Sequence, residues 1–68
     1  MDDWQQRVVN EKDELVKKAK KLRTFICSKQ FNDISILEQL RLERQVVLMD
    51  LYAEVLIDRI QNFDLGSD

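Results

Sequence analysis

Apolar residues in the first third of the chain recur with the spacing of a helix. One stripe holds, in chain order, Trp4, Val8, Leu15, Ala19, Leu22 and Ile26. At about 100° per residue these positions share one side of a helix. Asp2 and Asp3 precede the stripe, and each is followed three residues later by a glutamine, which is the spacing of a capping box. The pattern predicts a helix over about residues 3–28.

A second helix start follows a short polar connector. Ser35 and Glu38 form another capping-box pair, and an apolar helical pattern continues from there to about residue 62. The connector includes Asn32 and Asp33, which favour turns, and a connector this short joins antiparallel neighbours. We therefore predict an all-α fold in one domain, an antiparallel two-helix hairpin. Its segments are a helix over 3–28, a turn over 29–34, a helix over 35–62 and a tail over 63–68.

The second predicted helix is apolar on two nearly opposite sides. The first stripe consists of Leu37, Leu40, Val47, Leu51 and Val55. The second stripe consists of Leu42, Val46, Met49, Ala53, Leu56 and Ile60. Packing the first stripe on the first helix gives one consistent antiparallel register. Its pairs are Ile26 with Ile36, Leu22 with Leu40, Leu15 with Val47, and Val8 with Val55.

This register leaves the second stripe without a partner inside the chain. A helix that is apolar on both sides is a buried helix, because each large apolar side chain left in water forgoes roughly 1.5–3 kcal/mol. We therefore predict that the hairpin oligomerises and that the second stripe is the interface between subunits.

Chain length and composition also favour oligomerisation. A chain of 68 residues usually needs disulfides, a metal or other subunits to be stable. Cys27 is the only cysteine and histidine is absent, so neither a disulfide nor a zinc site is expected. Proline is absent and Gly66 is the only glycine, which favours long uninterrupted helices.

The expected location is the cytoplasm. No apolar run approaches the roughly 20 residues that a membrane span needs, and the opening Met1-Asp2-Asp3 does not resemble a secretion signal. A lone thiol is also more typical of a reducing compartment. We expect no membrane partner.

No pattern in the sequence indicates catalysis. The chain has no glycine-rich phosphate loop, no histidine, and no serine or cysteine with a base at a plausible spacing. Asp13 and Glu14 are best interpreted as solvated charges near a helix start. We expect a protein that is not an enzyme, with no catalytic residues, no metal and no cofactor.

Positive charge is concentrated in one stretch of a chain whose net charge is -2. The stretch contains Lys17, Lys18, Lys20, Lys21 and Arg23. These cations either solvate the helix surface and complement the negative end of its dipole, or they bind an anion such as phosphate. They surround the helix instead of forming one basic face, so DNA is not the expected partner.

Trp4 is the second candidate for a binding residue. It either caps the core or presents its indole as a platform on which a nucleobase stacks, with Arg7 and Lys12 nearby. The hairpin brings Arg59 to the same end, where its guanidinium either pairs with a neighbouring carboxylate or binds a phosphate.

Both halves of the chain resemble one family of short phage proteins. The first half contributes Trp4-Gln5-Gln6-Arg7-Val8, Glu11, Glu14-Leu15, Lys21-Leu22 and Phe25-Ile26. The second half contributes Phe31, Leu40, Leu42, Met49, Tyr52, Leu56 and Arg59-Ile60. Over residues 4–60 the pattern resembles the helical hairpin of the anti-CBASS nucleotide sponges and the related Thoeris anti-defence sponges.

The resemblance implies a concrete function. Such proteins assemble as oligomers, often hexamers, and hold cyclic oligonucleotide immune signals between subunits without cleaving them. An aromatic residue near the start of the first helix and basic residues contact the ligand, and Trp4 and Arg59 match these roles. The lysine contact matches either Lys12 or Lys21. The resemblance also implies action in the cytoplasm of an infected bacterial host.

A second function remains open at this point. The two apolar stripes alone are typical of a helical protein-interaction or structural oligomerisation module that binds no ligand.

Overall fold

The computed structural model describes residues 2–63, and over this range the chain forms two helices packed against each other. Helix α1 spans Asp3–Ile26, a short 3-10 helix spans Lys29–Asp33, and helix α2 spans Ile36–Gln61. No strand occurs within the described range. The predicted all-α hairpin is confirmed. Neither helix in this part of the chain has a stretch that is long and apolar enough to cross a membrane.

The capping residues act at both helix starts. The backbone N–H of Asp2 donates to Oε1 of Gln5 at 3.0 Å, and the backbone N–H of Glu38 donates to the hydroxyl of Ser35 at 3.2 Å. These bonds satisfy groups that a helix end otherwise leaves to solvent. Helix α1 ends at Ile26, two residues before the predicted boundary, because the backbone N–H of Ser28 turns back to the carbonyl of Phe25 at 2.9 Å.

The connector is fixed to the beginning of α2. Phe31 is buried and packs edge to face against Phe25, with ring centroids 6.1 Å apart. The side-chain amide of Gln39 donates to the carbonyls of Phe31 and Ile34, both at 3.0 Å. These contacts close one end of the hairpin, which we call the closed end.

The core between the helices is formed by the second stripe of α2. Leu56 is completely buried and Ala53 is buried, as are Val8 and Ala19 of α1. The remaining members of the stripe are half-buried, namely Leu42, Val46, Met49 and Ile60. We call this side of α2 the inner face.

The predicted use of the two stripes was therefore wrong. The first stripe, which was expected to pack on α1, is 52–64 % exposed, and we call this side of α2 the outer face. Ile36 is also exposed, so the predicted pairs built on this side of α2 do not form. The second stripe, Leu42, Val46, Met49, Ala53, Leu56 and Ile60, lies inside the hairpin instead of forming a surface for another subunit.

Small residues on the inner face and one charge on the outer face explain why the inner face packs on α1. Ala19 and Ala53 are both buried, and small side chains allow two helices to approach closely. The outer face, by contrast, carries Arg44 between Leu40 and Val47. Packing that face on α1 would bury a guanidinium that has no partner, which is costly.

Two polar contacts cross from α1 to α2. The guanidinium of Arg23 donates to both carboxylate oxygens of Asp50, at 2.6 and 2.7 Å. The hydroxyl of Tyr52 donates to the carboxylate of Glu11. Glu11, which lies between Val8 and Leu15 of the predicted stripe of α1, thus has a partner on the neighbouring helix. The hydrogen bond and the charge of Asp50 raise the pKa of Arg23 above its ordinary value.

Candidate functional site

The candidate site lies at the end of the hairpin where α1 begins and α2 ends, which we call the open end. Trp4 lies in the first turn of α1, and Phe63 follows the last turn of α2. Their ring centroids are 5.1 Å apart and the ring planes meet at 79°, an edge-to-face contact. Arg59 lies in the last turn of α2 and therefore at the same end.

Trp4 keeps part of its indole accessible. Its residue surface is 37 % exposed, whereas Phe63 beside it is half-buried. A tryptophan held by an edge-to-face neighbour loses little further freedom when a planar ligand stacks on it. The open end therefore offers a supported aromatic surface suited to a nucleobase.

Two guanidinium groups accompany this aromatic surface. Arg7 and Arg59 are both exposed, and no carboxylate of residues 2–63 lies within 4.0 Å of either charge. An arginine in this state can form two parallel hydrogen bonds to a phosphate. The dipole at the start of α1 also favours an anion, while the acidic side chains of Asp2 and Asp3 oppose one.

The two candidate lysines have different surroundings. Lys12 is partly buried, and its ammonium forms an ion pair with Asp13 at 2.6 Å. Lys21 is exposed but lies 17 positions after Trp4 on the same helix, about 25 Å away at 1.5 Å per residue. Trp4 and Arg59 lie at the same end of the hairpin, with Arg7 about one turn along α1. Lys21 lies in the other half of the hairpin, so it reaches a ligand at the open end only from another subunit.

The basic run is separate from the aromatic surface. Arg23 is held by Asp50, and Lys17 lies 4.0 Å from a carboxylate oxygen of Glu14. Lys18 and Lys20 are exposed. The run therefore lies toward the closed end, and part of it forms ion pairs within the chain.

Sequence reasoning missed Phe63 and the partner of Arg23. Phe63 was assigned to the tail, although it follows Arg59 by four positions, a spacing that places side chains on one side of a helix. The pairing of Arg23 with Asp50 had no signal within one helix, because the two residues meet only once the hairpin register is known. Within residues 2–63 no group of histidine, cysteine and carboxylate side chains is arranged to hold a metal ion.

Comparison with known proteins identifies the family. The family model described as Sequestin matches residues 2–62, nearly the whole chain. No curated protein and no solved structure matches the chain. The match covers both helices and the connector, together with Trp4 and Arg59 at the open end. The chain belongs to the Sequestin family.

Proposed function

We propose that this protein binds cyclic oligonucleotide immune signals at the open end and sequesters them without cleavage, as a homo-oligomer. The observation that carries the proposal is the accessible indole of Trp4, supported by Phe63 at 5.1 Å and located at the same end as Arg59. The name of the family is consistent with sequestration. The resemblance to the anti-CBASS and Thoeris anti-defence sponges supports the class of ligand.

The chemistry of such a ligand matches the groups at the open end. A base stacks on Trp4, which contributes about 1–3 kcal/mol. Phosphate oxygens accept hydrogen bonds from Arg7 and Arg59, each worth about 1.5–3 kcal/mol. A cyclic dinucleotide has two bases and two phosphates. Two open ends, one from each of two subunits, therefore provide a stacking surface for each base and arginines for each phosphate. We further propose that Lys12 or, from a neighbouring subunit, Lys21 completes the phosphate contacts.

The absence of a recognisable catalytic pattern supports sequestration without cleavage. Hydrolysis of a phosphodiester needs a group that activates the nucleophile, and the sequence has no histidine, which is the side chain that most often does so. Holding the ligand is then the whole activity, and we propose that it takes place in the cytoplasm of an infected bacterial host. The number of subunits suggested by the resemblance is six.

Calorimetry with a panel of cyclic di- and trinucleotides tests the proposal. At least one ligand is expected to bind with a dissociation constant far below 10 µM and to be recovered intact after the protein is denatured. Trp4→Ala and Arg59→Ala are each expected to weaken binding at least tenfold, since a ligand held by two subunits loses two contacts of about 1–3 kcal/mol each and about 1.4 kcal/mol is already tenfold.

A control variant and measurements of structure distinguish the loss of a ligand contact from the loss of the fold. Gln61→Ala changes an exposed side chain near the same end and is expected to leave the affinity unchanged. Circular dichroism and light scattering should show unchanged helicity and mass for all three variants. A ligand recovered cleaved, or the absence of binding below about 10 µM across the panel, contradicts the proposal.

The second candidate function is a helical interaction module without a ligand. The exposed apolar residues of the outer face favour it, because contiguous apolar patches on a protein surface mark interaction sites. The calorimetric panel distinguishes the two functions, since the module assembles but binds no cyclic nucleotide.

A further inference from the structure

The outer face of α2 has the spacing of a coiled-coil seam. Positions alternate by three and four residues through Leu37, Leu40, Arg44, Val47, Leu51, Glu54 and Asp58. Its four apolar members are 52–64 % exposed, and the neighbouring Leu48 is exposed as well. A seam with this spacing is the side of a helix that packs against a second helix by interdigitation. Within residues 2–63, α1 contributes no such partner, because it packs on the inner face.

Charges on this seam are segregated along the helix. Arg44 lies in the first half of α2, whereas Glu54 and Asp58 lie in the second half. Arg41, beside Arg44, is paired with Glu38 at 3.2 Å. No ion pair within 4.0 Å joins Arg44 or Glu54 to another group of residues 2–63. Two copies of α2 in parallel would place like charges opposite each other. Two copies in antiparallel orientation place the basic half of each against the acidic half of the other.

The spacing and the charges together select one register. When Arg44 of one copy lies opposite Glu54 of the other, Val47 lies opposite Leu51. The seam positions of a coiled coil alternate between two types, a and d. In this register each a position of one copy lies opposite a d position of the other, as in antiparallel coiled coils. Because the arrangement is two-fold symmetric, it forms the charge pair twice and the apolar pair twice.

The surface shape is consistent with this register. Leu37, Leu40, Arg41 and Arg44 line a shallow groove on the first half of α2. The same register brings the end of the partner's α2 over this groove, where Asp58 of the partner subunit lies opposite Leu40 and near the two arginines.

We propose that the outer face binds a second copy of this chain in antiparallel orientation, and that the Arg44–Glu54 pairs set the register. The occupant is a second copy because the face is self-complementary in charge under a two-fold axis and repulsive in the parallel alternative. The contact requires no ligand. In this register the open end of one copy lies beside the closed end of the other, so the contact differs from the meeting of two open ends at a ligand. It is therefore tested separately from the proposed sequestration, and either proposal can fail while the other stands.

Charge exchange tests this contact in the full chain without ligand. By sedimentation equilibrium, Arg44→Glu and Glu54→Arg are each expected to raise the dissociation constant of the two-fold contact at least tenfold. The combination of the two substitutions is expected to restore association to within a few fold of the original chain, since the pairs are re-formed with opposite polarity. Leu51→Glu is expected to abolish the contact.

Gln45→Glu is the matched control for Leu51→Glu, because it adds the same single negative charge to α2 away from the seam and should leave the mass unchanged. Circular dichroism verifies that each variant remains helical. A monomeric original chain overturns the proposal, as does full association of both single variants. Failure of the combined variant to regain association overturns the assigned register and with it the proposal.

Discussion

The two sides of α2 are almost equally apolar, yet only one is closed within the chain. The inner face holds six apolar residues and no charge, with Ala53 and Leu56 buried at its centre. The outer face holds five exposed apolar residues, but Arg44 interrupts them and Asp58 follows them. Apolarity alone therefore does not indicate which side of α2 packs on α1. The distribution of charge indicates which side is covered by its own chain and which stays exposed in the hairpin.

Polar contacts mark the borders between these two faces. Asp50 and Tyr52 are two positions apart, so their side chains project about 200° apart around the helix. Each reaches α1 from one side of the inner face, Asp50 to Arg23 and Tyr52 to Glu11. A rotation of α2 that exchanged its two faces would break both contacts. Packing and polar contacts thus agree on the same orientation.

The largest expected effect on stability comes from truncating a leucine of the inner face, and the same truncation on the outer face is the comparison. Leu56→Ala is expected to cost about 2–5 kcal/mol, because it removes a completely buried side chain and leaves a cavity. Leu51→Ala removes the same atoms from the outer face, where they are half-exposed, and should cost much less within a single hairpin. Thermal unfolding followed by circular dichroism over a range of protein concentrations measures both changes.

Concentration dependence separates the two faces in this experiment. Leu56→Ala should lower the melting temperature at every concentration, whereas the loss from Leu51→Ala should grow with concentration, where association contributes to stability. Equal losses at high dilution would show that the two faces are not used differently.

Much of this architecture could be predicted from the sequence because the signals are local. The serine cap at Ser35, the glutamine at Gln5 and the turn-forming residues after α1 each act through neighbours in sequence. The two stripes of α2 also follow from its period alone. The choice between the stripes depends on contacts between distant residues, and the prediction chose wrongly. Arg44 within the first stripe was the available signal, since a guanidinium is rarely buried without a partner.

The candidate site could be predicted from the sequence to about the same extent as the fold. An antiparallel hairpin places Trp4 and Arg59 at one end whatever the rotation of α2 about its axis. The contact of Trp4 with Phe63 depends instead on the path of the chain after α2, which no local pattern specifies. The contribution of Lys12 or Lys21 depends on how subunits are arranged, so it stays a prediction.

A smaller effect is expected at one border of the inner face. Tyr52→Phe keeps the ring but removes the hydroxyl that donates to Glu11. The expected loss is about 0.5–1.5 kcal/mol, because the acceptor is charged but both groups are exposed to water. Chemical denaturation measures it, and Glu11→Ala, which removes the acceptor, provides the companion variant. If the two substitutions together cost the sum of their separate effects, the hydroxyl and the carboxylate do not interact in solution.

The smallest expected effect lies at the other border, where Arg23 meets Asp50. Both side chains are about half-exposed, so their two hydrogen bonds compete with water and with salt. Because Asp50 raises the pKa of Arg23, the folded state holds that proton more tightly than the unfolded chain does. The contribution of Arg23 is therefore complete below its ordinary pKa and is lost only as pH rises through the raised value. Titration of Arg23 should change nothing between about pH 5 and pH 10.

Salt concentration is accordingly the better variable for this contact. Arg23→Gln is expected to lower the melting temperature at low salt by less than Tyr52→Phe does. The loss should shrink as the salt concentration rises toward about 1 M, because both groups are exposed and dissolved ions weaken their attraction. Lys20→Gln is the matched control, since it removes a cation of the same run that has no carboxylate of residues 2–63 within 4.0 Å. An equal loss in both variants, with the same dependence on salt, would mean that general charge balance, and not the bond to Asp50, accounts for the effect at this border.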